Sequence, residues 1–311
     1  MKKIGIDIGF GDTKVCSDNG CFKFKTVLSE HIIPQHLKNE FTKAGIGKEK
    51  AYEYEGKRYL IGDENVRLEK AKYVRSPKYI VKYSPLFVKY ILDQLNVEKE
   101  DDVSICMGLS ISHYDYAEEM IRNIKNFLNH SGKIDIFCYP QGFGVITLVD
   151  GASDPKTETL IIDIGSNTVD FIYFKGEVPV SEHISAWENH GVQKIIRNFG
   201  SKIDDKHVAS FNVKFLENIF IDGKYAITPE RILDFSIEKE EAISDYAENF
   251  IEELITKQEE IIYLANRIVP AGGGAYYVTK RLKEEFGADR VYEFGSQYEF
   301  LNVKGYYNAL Q

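Results

Sequence analysis

One short sequence occurs twice and limits what this chain can become. Residues 4–9 read Ile-Gly-Ile-Asp-Ile-Gly, and residues 161–165 read Ile-Ile-Asp-Ile-Gly, so Ile-Asp-Ile-Gly recurs 156 positions later in a chain of 311 residues. Each copy is a compact apolar run, too short for a helix, that ends in an aspartate, a glycine turn and a second apolar run. A repeat at half the chain length predicts two related halves facing each other across a cleft. The length agrees, because single cores rarely keep growing beyond roughly 250–300 residues.

Between and after these copies, strands alternate with helices. Strands are predicted at 4–8, 13–17, 21–27, 103–109, 134–139, 159–164, 169–174, 178–184 and 267–271, with a short strand at 291–294. Helices are predicted within 79–95, starting near Ser84-Pro85 by the N-terminal preference of proline, and at 113–128, from 141 through 149, 186–199, 238–265 with one break, 275–286 and 302–310. Asn19-Gly20 marks a hairpin turn, and a second hairpin turns at Glu55-Gly56. This alternation implies an α/β architecture with a largely parallel core. The turn-rich stretch 150–157 marks the domain boundary.

An aspartate at the end of a buried strand does not serve packing, because burying a carboxylate is costly unless it is paired or lies near a cation. The glycines after it let the backbone turn and aim N–H groups at an anion. In the first copy Gly9, Phe10, Gly11, Asp12 and Thr13 supply such amides, Thr13 adds a hydroxyl and Lys14 a cation. In the second copy Gly165, Ser166, Asn167 and Thr168 do so. Two such loops suit a polyphosphate. Asp7, Asp163 and Asp170 repel phosphates, and a hydrated divalent cation resolves this, since magnesium keeps waters and accepts carboxylates through them. A third feature, Gly272-Gly273-Gly274 between a strand and a helix, lets a flat ring lie against backbone beside a helix N-terminus. There is no Walker loop, and Gly9-x-Gly11 lacks the rest of a dinucleotide fingerprint.

Taken in order, Asp7-Ile8-Gly9, Pro140-Gln141-Gly142, Ile162-Asp163-Ile164-Gly165, Ala271-Gly272-Gly273-Gly274 and the tail from Asn302 to Tyr307 resemble the five-motif signature of the actin fold. The resemblance covers essentially the whole chain. Within the actin-like ATPase superfamily it is most similar to the bacterial and archaeal plasmid-segregating proteins of the ParM type. The resemblance implies an actin-like fold of two duplicated ribonuclease-H-like α/β cores around a nucleotide cleft. Domain I is expected at 1–155, with a small inserted subdomain at about 28–78. Domain II is expected at 156–297, with a helical subdomain at about 200–265, and residues 298–311 return to domain I as a helix.

The same resemblance assigns roles. Asp7 and Asp163 hold magnesium through water, and Gly9 through Lys14 and Gly165 through Thr168 bind phosphates. Gln141 orients the attacking water, and Asp170 assists as a base or metal partner. Gly191 and Lys194 approach the nucleotide, while Gly272, Gly273, Gly274, Ala275 and Tyr276 line the nucleoside. The expected activity is slow ATP or GTP hydrolysis coupled to polymerisation of the chain with itself. The alternative is a small-molecule kinase or another non-filamentous ATPase of the superfamily.

The net charge of −9 argues against direct nucleic-acid binding. DNA segregation therefore implies a separate DNA-binding adaptor protein. Residues 38–78 carry a local +4 and residues 204–260 a local −9; such runs usually face water. No run approaches the roughly 20 apolar residues of a membrane span, and no apolar signal region opens the chain, so the expectation is a cytoplasmic protein without membrane contact. Cys16, Cys21, Cys106 and Cys138 lack zinc-like spacing and read as buried, reduced side chains, with a hairpin contact between the first two open. His113, His183 and His190 have no metal spacing.

Overall fold

The computed structural model describes residues 1–31, 50–63, 71–74, 76–207, 211, 213–228 and 230–311. About half of the basic 38–78 segment, residues 38–49, 64–70 and 75, lies outside the described residues. Contacts divide the chain into two units. The first comprises Met1–Leu109, His113–Pro140 and Val303–Gln311; the second comprises Ser110–Ser112 and Gln141–Asn302.

The first unit holds a five-stranded sheet. β1 (Lys2–Ile8), β2 (Asp12–Ser17) and β3 (Gly20–Lys25) form an antiparallel meander. A smaller sheet follows, built from β4 (Val27–Glu30), β5 (Tyr52–Tyr54), β6 (Lys57–Ile61) and β7 (Lys72–Tyr73) in the order β5-β6-β4-β7. Helix α1 (Pro77–Gln94) precedes β8 (Val103–Leu109), and α2 (Ala117–Leu128) precedes β9 (Ile134–Pro140). β8 lies parallel to β1 and β9 parallel to β8, giving the order β3-β2-β1-β8-β9. Ile4, Ile6, Leu86, Phe87, Ile91, Ile105 and Met107 are at most 1% exposed and anchor its core.

Helix α1 begins earlier than the Ser84-Pro85 start its sequence suggests. Ser76 caps it in extended backbone and Pro77 enters its first turn, where a missing N–H costs nothing. Pro85 then lies inside the helix, which strips a donor from the carbonyl of Val81. The Ser84 hydroxyl supplies one at 3.0 Å. Around Asn19-Gly20, β2 and β3 set Cys16 directly opposite Cys21, with Cα atoms 4.1 Å apart, and the two form a disulfide. The reading of all four thiols as reduced is corrected by this cross-strand register; Cys106 and Cys138 are free.

The second unit repeats the plan. α3 (Phe143–Ile146) is a single turn, closed by the Thr147 hydroxyl on the Gly144 carbonyl, and turns replace the helix predicted through Val149. β10 (Glu158–Ile164), β11 (Thr168–Lys175) and β12 (Val178–Glu188) follow as an antiparallel meander. α4 (Val192–His207), α5 (Val213–Asp222), the hairpin of β13 (Lys224–Thr228) and β14 (Arg231–Asp234), α6 (Ser236–Lys257) and α7 (Glu259–Leu264) come next. β15 (Arg267–Ala271) lies parallel to β10 and leads into α8 (Ala275–Phe286). The sheet order is β12-β11-β10-β15. Leu160, Ile162, Phe171 and Tyr173 join a core with Phe199, Phe250 and Leu254. Ile161, Ile172 and Phe174 join a second core with Val145, Val269 and Leu301. Burial on both faces is why these strands read as unbroken apolar runs.

Two expectations shift here. Ala186, Trp187 and Glu188 pair with Asp170, Val169 and Thr168 in the β11–β12 ladder, so the predicted helix start at Ala186 gives way to strand and α4 begins at Val192. Residues 291–294 form no full strand; Val291 makes one bridge to Ile268. The last helix, α9 (Leu301–Asn308), starts in the second unit and continues in the first. It packs so close to β1 that a Cβ on Gly5 would lie 2.4 Å from the Val303 carbonyl oxygen.

Candidate functional site

The two copies of Ile-Asp-Ile-Gly occupy equivalent places. Each ends the strand that pairs antiparallel with its successor and parallel with a later strand. Asp7 sits opposite Lys14 in the first hairpin, and Asp163 sits opposite Asp170 in the second.

In the first unit Asp7 is 3% exposed, and Lys14 Nζ donates to its Oδ2 at 3.0 Å. The ion pair gives this buried carboxylate the partner it needs. The turn closes through the Gly9 N–H to the Asp12 carbonyl at 3.2 Å, and Asp12 pairs with Lys25 at 2.8 Å. Thr13 is fully buried, its hydroxyl 2.9 Å from that of Thr26. Its hydroxyl thus belongs to the sheet interior. Phe10 packs on the first core and meets the His113 ring edge to face.

In the second unit the turn is stitched to the start of α4. The carbonyls of Gly165, Ser166 and Asn167 accept from the N–H groups of Val192, Gln193 and Gly191 at 3.1, 2.9 and 3.1 Å. Gly191 therefore holds the loop through backbone bonds. Lys194 reaches Glu253 at 3.1 Å, and Glu253 also takes His190 and Lys257. Burial works against ionisation of Glu253, but these cations overcome it and bring its pKa down to about 2.

Asp163 and Asp170 are 4% and 1% exposed. Asp163 Oδ2 accepts from the Asn302 amide at 2.6 Å, and Asp170 Oδ1 accepts from the Ser110 hydroxyl at 2.9 Å. Burial, then the charge of Asp163, pushes Asp170 up to about 8, against the bonds from Ser110, Ile111 and Thr168. Asp170 is thus mainly protonated at neutral pH. Opposite β10, Gly272 adopts a φ of +77°, and a Cβ there would lie 2.5 Å from Asp163 Oδ1. This glycine is required by its turn and by the carboxylate beside it. The Gly274 N–H donates to the Ile164 carbonyl at 2.8 Å, and Ala275 is buried behind it. Gly273 is open: the nearest atom to its Cβ position is 3.9 Å away. Tyr276 is half exposed, its hydroxyl 2.5 Å from Glu299.

Gln141 is the first residue of its segment in the second unit, in the turn just before α3. Asn302, Ser110 and Glu253 are absent from the sequence-based site: Asn302 opens the fifth motif but has no assigned role there, and a lone Ser or Glu carries no motif. Among the described residues no group of three or more His, Cys, Asp or Glu side chains forms a metal cage. This donor set fits magnesium, which binds through one or two carboxylates, its own waters and substrate phosphates.

Residues 5–145 match the family described as actin like proteins, N terminal domain, and residues 161–284 match archaeal actin homologue MreB-like, C-terminal. No curated protein matches the chain at a significant level. Among solved structures, the archaeal actin homolog Ta0583 is 17% identical with a TM-score of 0.77, covering 100% of this chain and 99% of its own. Its complex with ADP is 16% identical with a TM-score of 0.74, covering 100% and 99%. A 15-stranded ParM filament from Clostridium botulinum is 18% identical with a TM-score of 0.75, covering 99% and 98%. With its duplicated sheets and with both halves matched, this chain belongs to the actin-like superfamily.

Proposed function

We propose that this chain is a filament-forming actin-like protein that hydrolyses ATP or GTP with magnesium. Filament growth follows nucleotide binding, and hydrolysis favours disassembly. The observation that carries this reading is the shared register of Asp7 and Asp163: two buried carboxylates lie near the ends of equivalent strands, each followed by a glycine turn. The similarity to an ADP-bound actin homolog and to a ParM filament supports it. The cargo is DNA, plasmid DNA in particular, reached through a DNA-binding adaptor, since the chain itself is acidic.

Asp7 and Asp163 hold magnesium through water. The metal supplies positive charge to phosphates that these carboxylates alone would repel. Amides of residues 9–13 and 165–168 bind phosphate oxygens, and the open face of Gly273 beside Ala275 and Tyr276 takes the nucleobase. Gln141 orients the attacking water without accepting its proton, so hydrolysis is slow and rests on positioning. The domains run 1–155 and 156–297, with 298–311 returning to the first.

Phosphate release from ATP and from GTP, with magnesium and with chelator, tests the proposal. Magnesium-dependent release, abolished in Asp163→Ala with its fold retained, is the expected result. Unimpaired turnover in that variant removes Asp163 from the site.

A further inference from the structure

The side chain of Asn302 joins two parts of the candidate site. Asn302 is the second residue of α9 and is 4% exposed. Its amide nitrogen donates to Asp163 Oδ2 at 2.6 Å, and its amide oxygen accepts from the Gly142 N–H at 2.7 Å. The orientation of the amide is fixed by its partners. A backbone N–H only donates, so the atom facing Gly142 is the oxygen, and an ionised carboxylate only accepts, so the atom facing Asp163 is the nitrogen. The Gly142 amide opens α3 and is buried, where a donor without an acceptor is costly. On the other side of Asp163 there is no room for a side chain at Gly272, whose Cβ would lie 2.5 Å from Oδ1. Asp163 is therefore held by Asn302 and closely flanked by the Gly272 turn.

The geometry points to Asn302 as a positioning residue that fixes the Asp163 carboxylate and the Gln141–Gly142 turn to one another. It touches neither nucleotide nor water in this account; it acts through the two groups that do, and so rests on the hydrolase reading above. An apolar side chain of the same size releases both groups at once. An aspartate keeps an acceptor for Gly142 and replaces the donor to Asp163 with an acidic oxygen that, when ionised, repels it.

The test combines turnover, nucleotide affinity and hydrogen exchange in the full chain. In Asn302→Leu, kcat is expected to fall roughly 10- to 100-fold, and the magnesium concentration for half-maximal rate to rise about tenfold, as for other residues that orient a metal's ligands. Nucleotide Kd is expected to stay within about threefold, because the loop amides are untouched. Exchange at the Gly142 amide, measured without nucleotide or metal, is expected to speed up in Asn302→Leu and to stay slow in Asn302→Asp, while kcat in Asn302→Asp still falls at least about tenfold. Should Asn302→Leu not fold, the Asn302→Asp arm decides alone. The inference is overturned if kcat in Asn302→Asp stays within about twofold of the wild type, or if kcat and affinity fall together. It is also overturned if Gly142 exchange is unchanged in a folded Asn302→Leu. A wild-type chain that hydrolyses neither nucleotide overturns the hydrolase reading itself, and this inference with it; an active wild type with indifferent variants overturns the inference alone.

Discussion

Lys14 and Asp170 hold the same place in the two copies of one hairpin, each directly across the ladder from the strand-end aspartate, and they carry opposite chemistry. Lys14 neutralises Asp7 at 3.0 Å. Asp170 instead adds a second acid beside Asp163 and holds its own proton. The duplicated backbone thus presents one compensated carboxylate and one crowded pair.

Removing Lys14 leaves Asp7 buried and short of its cation. Lys14→Met is expected to destabilise the first unit by on the order of 3 kcal/mol, the usual cost of breaking a buried pair from one side. Urea unfolding measures it, and a loss below about 1 kcal/mol would show that the pair is not a buried one in energetic terms.

Asp170 gives stability a pH slope. Its folded pKa of about 8 lies above that of an unfolded aspartate. Between those values the folded chain keeps a proton that the unfolded chain releases, so stability falls as pH rises from about 4 to about 8. Asp170→Asn keeps an acceptor for Ser110 and removes the slope. The variant is expected to gain more stability over wild type at pH 8 than at pH 5, read from denaturation midpoints; an equal difference at both pH values would contradict the assignment.

Glu253 works in the opposite sense. Its folded pKa is lowered to about 2, so its contribution is present above the unfolded value of 4.5 and is lost as pH falls through the folded one. Because the group is partly exposed, Glu253→Gln is expected to cost only roughly 1–2 kcal/mol at pH 7. The difference from wild type should shrink toward pH 2 in the same denaturation series.

The Cys16–Cys21 bond, the buried Cys106 and the half-buried Cys138 predict a definite thiol count. Burial raises both free thiols to about 12, so few thiolates form in the folded chain. Mass spectrometry after alkylation should find slow labelling when folded, two labels when unfolded without reductant and four with it.

Much of this was legible in the sequence. The apolar runs around Asp7 and Asp163, the Gly272–Gly274 turn and helix 275–286 appear where periodicity puts them, because sheets buried on both faces leave continuous apolar signals. The start of α1 is misplaced in the sequence because Ser-Pro normally opens a helix, whereas here Pro85 lies inside it and the Ser84 hydroxyl answers the Val81 carbonyl. Thr13 and Lys14 read as phosphate ligands; partners that the sequence does not show are Thr26 against the Thr13 hydroxyl and Asp7 against Lys14. The fifth motif contains Asn302 but not its role: its bonds to Gly142 and Asp163 span 160 and 139 positions, beyond any local pattern.

The central claim is assembly driven by nucleotide. Its most direct measurement is sedimentation of the purified chain with magnesium and ATP or GTP across a wide protein concentration range, beside a nucleotide-free control. The account predicts a pelleting polymer above a critical concentration only with nucleotide, lost on hydrolysis. A chain that stays in the supernatant at every concentration with both nucleotides would contradict it.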